Sequence, residues 1–184
     1  RNHAFKKADA LLSISGVIHE EYRACGVRES LIADIPNGID IGRFAPVTAG
    51  GRDAMRRKLG LPDGRLFAYS GKLNRGKGLE FLLRVWNDWV KAHPDCKLVL
   101  IGSGAMQFLS CEEALRAYVG DQRLDASVLF IGNVTNVNKY LQASDYFLFP
   151  SESEALPLAL IEALATGLPT VASDIAGNRD IVKD

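Results

Sequence analysis

Two stretches of this chain gather residue types suited to holding an anion at a strand-to-helix turn. The first is Gly71-Lys72-Leu73-Asn74-Arg75-Gly76-Lys77-Gly78. Its glycines let backbone N–H groups approach a ligand closely, and its cations add charge, a combination that fits phosphate. On composition alone the octet also fits a solvated turn with ordinary surface lysines. The second stretch, Pro150-Ser151-Glu152-Ser153-Glu154-Ala155-Leu156-Pro157, leads into a helical run over Leu158–Thr166. Proline suits the first position of a helix. The amides around Ala155 and Leu156 would then be helix-start donors carrying about half a positive charge. Glu162 is the only ionisable residue between Ala155 and Ser173. A helix that is apolar nearly all round is a buried one, and a buried carboxylate needs partners. Ligand hydroxyls would serve, because a carboxylate accepts from two donors at once. The plainer alternative is a glutamate on a solvated helix face.

Such residues need a frame. Strand-like apolar runs occur at Leu11–Ser15, Ile32–Ile35, Leu66–Ser70, Lys97–Ile101, Val128–Ile131, Tyr146–Phe149 and Pro169–Ala172. Most are continuously apolar, as in a parallel sheet buried on both faces. Helical patterns lie between them. The clearest is the stripe of Leu79, Leu82, Leu83, Trp86, Trp89 and Val90, whose tryptophans read as core packing. Strand alternating with helix means βαβ units, so the expected fold class is α/β with a doubly wound, Rossmann-like parallel sheet. Ligands bind beyond the carboxyl ends of such strands, where both anion-suited stretches fall. A boundary is expected at Pro36-Asn37-Gly38. Residues 1–36 would close an upstream unit, residues 37–184 would form the second unit, and its five-strand sheet would start at about residue 65. The stretch up to about Gly51 has no strong period. Arg1 is not an initiator methionine, Ala4–Asp9 reads as the end of a helix, and Gly177–Val182 reads as the start of one. Both ends are therefore expected to be cut from a longer chain, with the second unit truncated at its C-terminal end.

Bulk composition excludes several classes. The 184 residues carry 22 basic and 22 acidic side chains, so nothing points to nucleic acid. The most apolar stretch, Ala155–Ser173, holds Glu162 and two prolines and does not read as a membrane span. The charged opening Arg1-Asn2-His3 is not expected to be part of a signal peptide. Three cysteines without metal-ligand spacing fit a reducing, cytoplasmic setting. Gly102-Ser103-Gly104-Ala105-Met106-Gln107 imitates a dinucleotide fingerprint. It lacks the third glycine, and no acidic residue ends the next strand, so it reads as a close turn into a helix. His3, His19 and His93 read as isolated surface residues, with no metal site among them.

With these residues placed, the chain resembles the family 4 (group 1) retaining glycosyltransferases, enzymes of two Rossmann-like domains (the GT-B fold). Lys7-Ala8-Asp9-Ala10 through Ser15 resembles the end of that family's N-terminal acceptor domain. Ile35-Pro36-Asn37-Gly38-Ile39-Asp40, with Arg43-Phe44 and Pro46, resembles the crossing to the C-terminal domain. Gly71-Lys72-Leu73 with Lys77-Gly78 resembles its diphosphate turn, and Phe130-Ile131-Gly132-Asn133-Val134 the segment that cups the base. Ala143-Ser144-Asp145 through Pro150-Ser151 leads to Glu154 and Glu162, spaced as the family's E-x7-E motif. The resemblance implies that Gly71, Lys72 and Lys77 bind the donor diphosphate and that main chain near Val134 meets the base. It implies that Glu162 binds the ribose, that Glu154 sits by the transferred sugar, and that Ala155 and Leu156 offer backbone donors. Lys72, Lys77 and Glu154 would be the catalytic set.

The resemblance further implies no cofactor beyond a UDP- or GDP-sugar donor, no metal, and a glycan or glycolipid acceptor bound through the other domain. It implies a cytoplasmic enzyme with possible peripheral membrane contact, and a fragment inactive alone. The absence of any Asp-x-Asp agrees with metal independence. The chain departs from the family in having Lys72 where Arg is usual, Ala155 where Gly is common and Leu156 where an aromatic is common. Two other readings stay open: a nucleotide-sugar epimerase or hydrolase of the same fold, for which only Glu154 offers an acid/base group, and a non-catalytic sugar-nucleotide sensor.

Overall fold

Why the chain folds into two sheets is visible in where its apolar runs end. The computed structural model describes Phe5 and residues 7–182. The helix end expected over Ala4–Asp9 lies partly outside those residues, and His3 wholly so. A small parallel pair comes first, strand β1 (Leu11–Ser13) beside β2 (Ile32–Asp34). β1 stops short of Ser15 because that hydroxyl caps helix α1 (Gly16–Ala24), accepting from Ile18 N at 3.3 Å. His19 on α1 is not isolated. Its Nδ1 lies 2.9 Å from Asp34 Oδ1 and its Nε2 lies 3.0 Å from Glu29 Oε1, and the Asp34 hydrogen bond raises its pKa.

The second sheet holds five parallel strands: β3 (Arg65–Ser70), β4 (Cys96–Ile101), β5 (Val128–Gly132), β6 (Tyr146–Phe149) and β7 (Thr170–Ala172). Their spatial order is β5-β4-β3-β6-β7, which reverses direction between β3 and β6. This is the doubly wound α/β architecture expected from the alternating pattern. Leu66, Ala68, Leu98, Val99, Leu100 and Phe147 are fully buried, as a sheet covered on both faces requires. Helices α3 (Leu79–Ala92) and α4 (Glu112–Asp121) pack together. Trp86 is buried at 3% exposure and donates Nε1–H to Ser127 Oγ, so it is a core residue. Trp89 packs edge-on against Phe67 at 5.2 Å and also meets the half-buried His93 ring at 4.3 Å, so His93 is not an isolated surface residue.

One helix was not foreseen from the residue pattern. Helix α2 (Ala49–Leu59) contains two adjacent glycines and buries no residue. Its ends are well marked: Thr48 Oγ1 accepts from Gly51 N, and Gly60 closes it in the left-handed region. Ion pairs hold it rather than an apolar stripe. Arg52 Nη1 and Arg56 Nη2 reach Asp145 at 2.7 and 2.5 Å, and the same carboxylate accepts from Leu66 N at 2.8 Å. Arg56 also donates to the carbonyls of Ala143 and Gly64. Asp145 thus ties α2, β3 and β6 together. Asp145→Ala is expected to lower stability by about 2–3 kcal/mol, because it removes the ion-pair partner of Arg52 and Arg56 and the acceptor of the Leu66 N–H in a half-buried place. Chemical denaturation of the chain and the variant measures this, and a loss below about 0.5 kcal/mol would mean water replaces the carboxylate fully.

Helix α5 (Val137–Ala143) packs on α2, and α6 (Leu158–Ala165) joins β6 to β7. A short α7 (Ala176–Arg179) stands where a helix start was expected. With the right-handed crossovers that parallel strands adopt, this strand order assigns α3 and α4 to one sheet face and α6 to the other. Over β6 and β7 the first face carries an apolar groove of about 490 Å³, lined by Phe67, Phe81, Val85, Trp89, Leu148 and Val171 among others, with no charged side chain. Nothing there suits a phosphate. Among the described residues no helix is long and apolar enough to cross a membrane, and the three cysteines are free thiols.

Candidate functional site

The reversal of strand order between β3 and β6 leaves a crevice beyond their carboxyl ends, because neighbouring connections diverge there. Both anion-suited stretches arrive at it. After β3 the chain turns at Gly71 (φ 153°), whose hypothetical Cβ would stand 2.8 Å from the buried Tyr69 hydroxyl. That hydroxyl donates to the carbonyl of Lys72 at 3.1 Å, and burial pushes its pKa well above the phenolic range. Gly102, after β4, comes so close that a Cβ would lie 2.0 Å from the carbonyl oxygen of Gly71. The turn is therefore shaped by its neighbours on both sides.

The two stretches meet directly. Lys77 Nζ and Glu154 Oε1 are 2.7 Å apart, with side chains 27% and 15% exposed. Glu152 N donates to Gly76 O at 2.9 Å, and Gly78 sits against the Pro150 carbonyl. Lys72 is exposed and, among the described residues, makes no ion pair. The N–H groups of Ala155 and Leu156 have no protein acceptor among the described residues. Their carbonyl side is occupied: Asn37 donates to Leu156 O, and Gly177 packs so closely that a Cβ would lie 2.2 Å from Glu154 O. Pro157 departs from the expected first helical position. With ψ at 115° it caps the helix, its carbonyl accepting from Leu160 and Ile161. The Ala155 and Leu156 amides therefore lie in the turn before α6, one residue further from the helix dipole than expected.

Glu162 lies mid-helix on α6, half-buried. Among the described residues its carboxylate has no hydrogen-bond partner. Burial raises its pKa, and the Arg43 charge opposes that rise. Arg43 also reaches the loop after β5 that carries Val134, through the carbonyl of Thr135. The structure thus forms two groups: Gly71, Lys72, Lys77, Glu154, Ala155 and Leu156 on one side, and Glu162 with the Val134 loop on the other. No hydrogen bond or ion pair joins Glu162 to either lysine among the described residues. In the sequence Asn37 and Arg43 read only as parts of the crossing segment, Gly177 as a helix start and Tyr69 as part of a strand, and none of them as a site residue.

The decoy after β4 is not a close turn into a helix. Residues 103–111 form a loop before α4 starts, because Glu112 folds back to accept from Ser103 Oγ and Gly104 N at 2.7 and 2.8 Å. Those bonds hold its pKa below the ordinary carboxylate value. Among the described residues no cluster of histidine, cysteine or acidic side chains could hold a metal.

A pH test isolates Glu162. Its raised pKa means the charged form is the disfavoured one in the folded chain, so ionisation costs stability above that pKa and costs nothing below the reference value of 4.5. Glu162→Gln is expected to melt higher than the parent at pH 7, with the gap closing as pH falls towards that reference value. A gap that widens on acidification would show instead a carboxylate stabilised by the fold.

Comparison with known proteins places this architecture. The whole chain superimposes on Anabaena HepE, solved with UDP and glucose, with a TM-score of 0.87 and 21% identity, covering 49% of that chain. The class is therefore the GT-B one, a Rossmann-like α/β unit making up about half of its relative. The sequence profile of "Glycosyl transferases group 1" matches residues 51–184, and this chain belongs to that family. A UDP-Gal:alpha-D-GlcNAc-diphosphoundecaprenol alpha-1,3-galactosyltransferase of Escherichia coli is 32% identical, across 83% of this chain and 39% of its own length. The putative teichuronic acid biosynthesis glycosyltransferase TuaC of Bacillus subtilis is 32% identical across 95% of this chain and 42% of its own length. The chain thus spans about two-fifths of these relatives.

Proposed function

We propose that this chain is the donor-binding half of a retaining glycosyltransferase that moves a sugar from a nucleoside diphosphate to a glycan or lipid-linked acceptor. The observation that carries this reading is the Lys77–Glu154 pair at the strand-order reversal, beside the unpaired Ala155 and Leu156 amides. A departing diphosphate would meet Lys72, Lys77 and those amides, while Glu162 would accept the ribose hydroxyls. In the transfer, the bond from the anomeric carbon to the diphosphate oxygen breaks and one to the acceptor oxygen forms on the same face. The acceptor proton passes to an oxygen of the leaving diphosphate. Preset donors facing that developing charge stabilise the transition state more than the ground state.

The donor is read as a UDP- or GDP-sugar bound without metal, and the chain alone as inactive. The names of the relatives, one acting on a diphosphoundecaprenol-linked sugar, support a glycan or lipid-linked acceptor. A cytoplasmic enzyme with peripheral membrane contact belongs to the same reading. Titration of the chain with UDP, GDP, ADP and NAD tests it. One nucleoside diphosphate is expected to bind at about 0.1–1 mM, with binding lost in Lys77→Ala and Glu162→Ala. Preferential NAD binding would overturn the reading. Product analysis on the intact enzyme separates transfer from isomerisation, hydrolysis or no turnover.

A further inference from the structure

The segment between the two sheets grips both groups of site residues, which the donor-site reading does not require. Asn37 Nδ2 donates to Leu156 O at 3.0 Å, on the peptide adjoining the unpaired amides. Further along, Arg43 donates from Nη2 to Thr135 O and from Nε to Asn138 Oδ1 at 3.5 Å. Asn138 Nδ2 returns a bond to Arg43 O at 3.2 Å, and Gln142 Nε2 donates to Ala45 O at 3.0 Å. Asn138 and Gln142 are buried. The Arg43 turn is itself held, with Asp40 Oδ1 accepting from Gly42 N and Arg43 N while the neighbouring Phe44 is buried in the core.

Irregular backbone needs such support to present a fixed surface. Residues 133–136 lie between β5 and α5 without regular structure, and residues 150–157 lie between β6 and α6 in the same state. A pocket that reads a base through main-chain atoms gains affinity when that main chain is preset, because less order is lost on binding. Arginine is well suited to holding it, since its planar fork reaches two acceptors at once, which an ammonium on a flexible stem does poorly.

We propose that Asn37 and Arg43 are positioning residues, Arg43 setting the nucleoside wall through Thr135 and Asn37 setting the diphosphate wall through Leu156. The proposal rests on the donor-site reading for what those walls bind, but not for how they are held.

Two measurements on the chain test it. In ligand-free amide NMR spectra, Arg43→Ala should shift residues 133–136 and leave 154–156 in place, and Asn37→Ala should do the converse. In calorimetry with UDP, GDP and inorganic pyrophosphate, Arg43→Ala should weaken the bound nucleoside diphosphate about fivefold, the weight of one hydrogen bond, while pyrophosphate affinity holds. Arg43→Lys should recover part of that loss. Asn37→Ala should weaken nucleotide and pyrophosphate alike. Equal losses of both ligands in Arg43→Ala would mean general loosening and would overturn the proposal, as would spectra in which both variants move the same residues. If the unaltered chain binds none of the three probes, the donor-site reading fails and the spectra alone decide how the loops are held.

Discussion

Lys77→Ala in an intact enzyme is expected to lower turnover about a hundred- to a thousand-fold, equivalent to about 3–4 kcal/mol of transition-state stabilisation. The expectation follows from where Lys77 sits. Its ammonium is 2.7 Å from Glu154 and only 27% exposed, at the turn after β3. A diphosphate leaving there would acquire charge that a preset cation meets without reorganisation. The fold loses less. Glu154 is left without its partner, but it lies on the crevice rather than in the core, so the cost is about 1 kcal/mol and the melting temperature falls by about 2–4 °C. Steady-state kinetics together with thermal melting separate the two effects. A thousand-fold loss alongside a small melting shift assigns Lys77 to the reaction. Turnover and melting both unchanged would remove it from the catalytic set.

Gly78→Ala should damage the scaffold of the site severely. Gly78 has φ +67°, and an added Cβ would lie 2.0 Å from the carbonyl oxygen of Pro150. The left-handed backbone costs a residue with a side chain about 1–2 kcal/mol. The clash is with backbone, which cannot swing aside, so β6's exit must move as well. We expect about 3 kcal/mol in total, or a fall of about 6–12 °C. Gly76→Ala is the control, because φ is +81° there but nothing lies within 4 Å. It should cost only the backbone term. Equal losses at the two positions would mean that the contact with Pro150 yields easily.

How much of this was legible in the chain depends on the kind of signal. Buried strands announce themselves by continuous apolar runs, so β3, β4, β5 and β6 fall within a residue or so of where the sequence places them. The glycine and lysine turn and the Glu154–Glu162 spacing are local patterns, and they were readable for the same reason. Helix α2 was not, since Ala49–Leu59 has no apolar face and depends on Asp145, some ninety residues away in sequence, for its anchorage. The loop after β4 was misread as a close turn because the returning bonds from Glu112 cannot be inferred from Gly102-Ser103-Gly104.

The α/β class, the strands and the turns that carry the candidate residues follow from local patterns, because periodicity and turn chemistry act within a few neighbours. The tertiary structure alone decided that Lys77 pairs with Glu154, that Gly78 must be glycine against Pro150, and that Asn37 and Arg43 reach across to the site. Those contacts join residues tens of positions apart, and no local preference encodes them. The Lys77–Glu154 and Gly78–Pro150 contacts exist because the strand order reverses between β3 and β6 and brings two distant turns together.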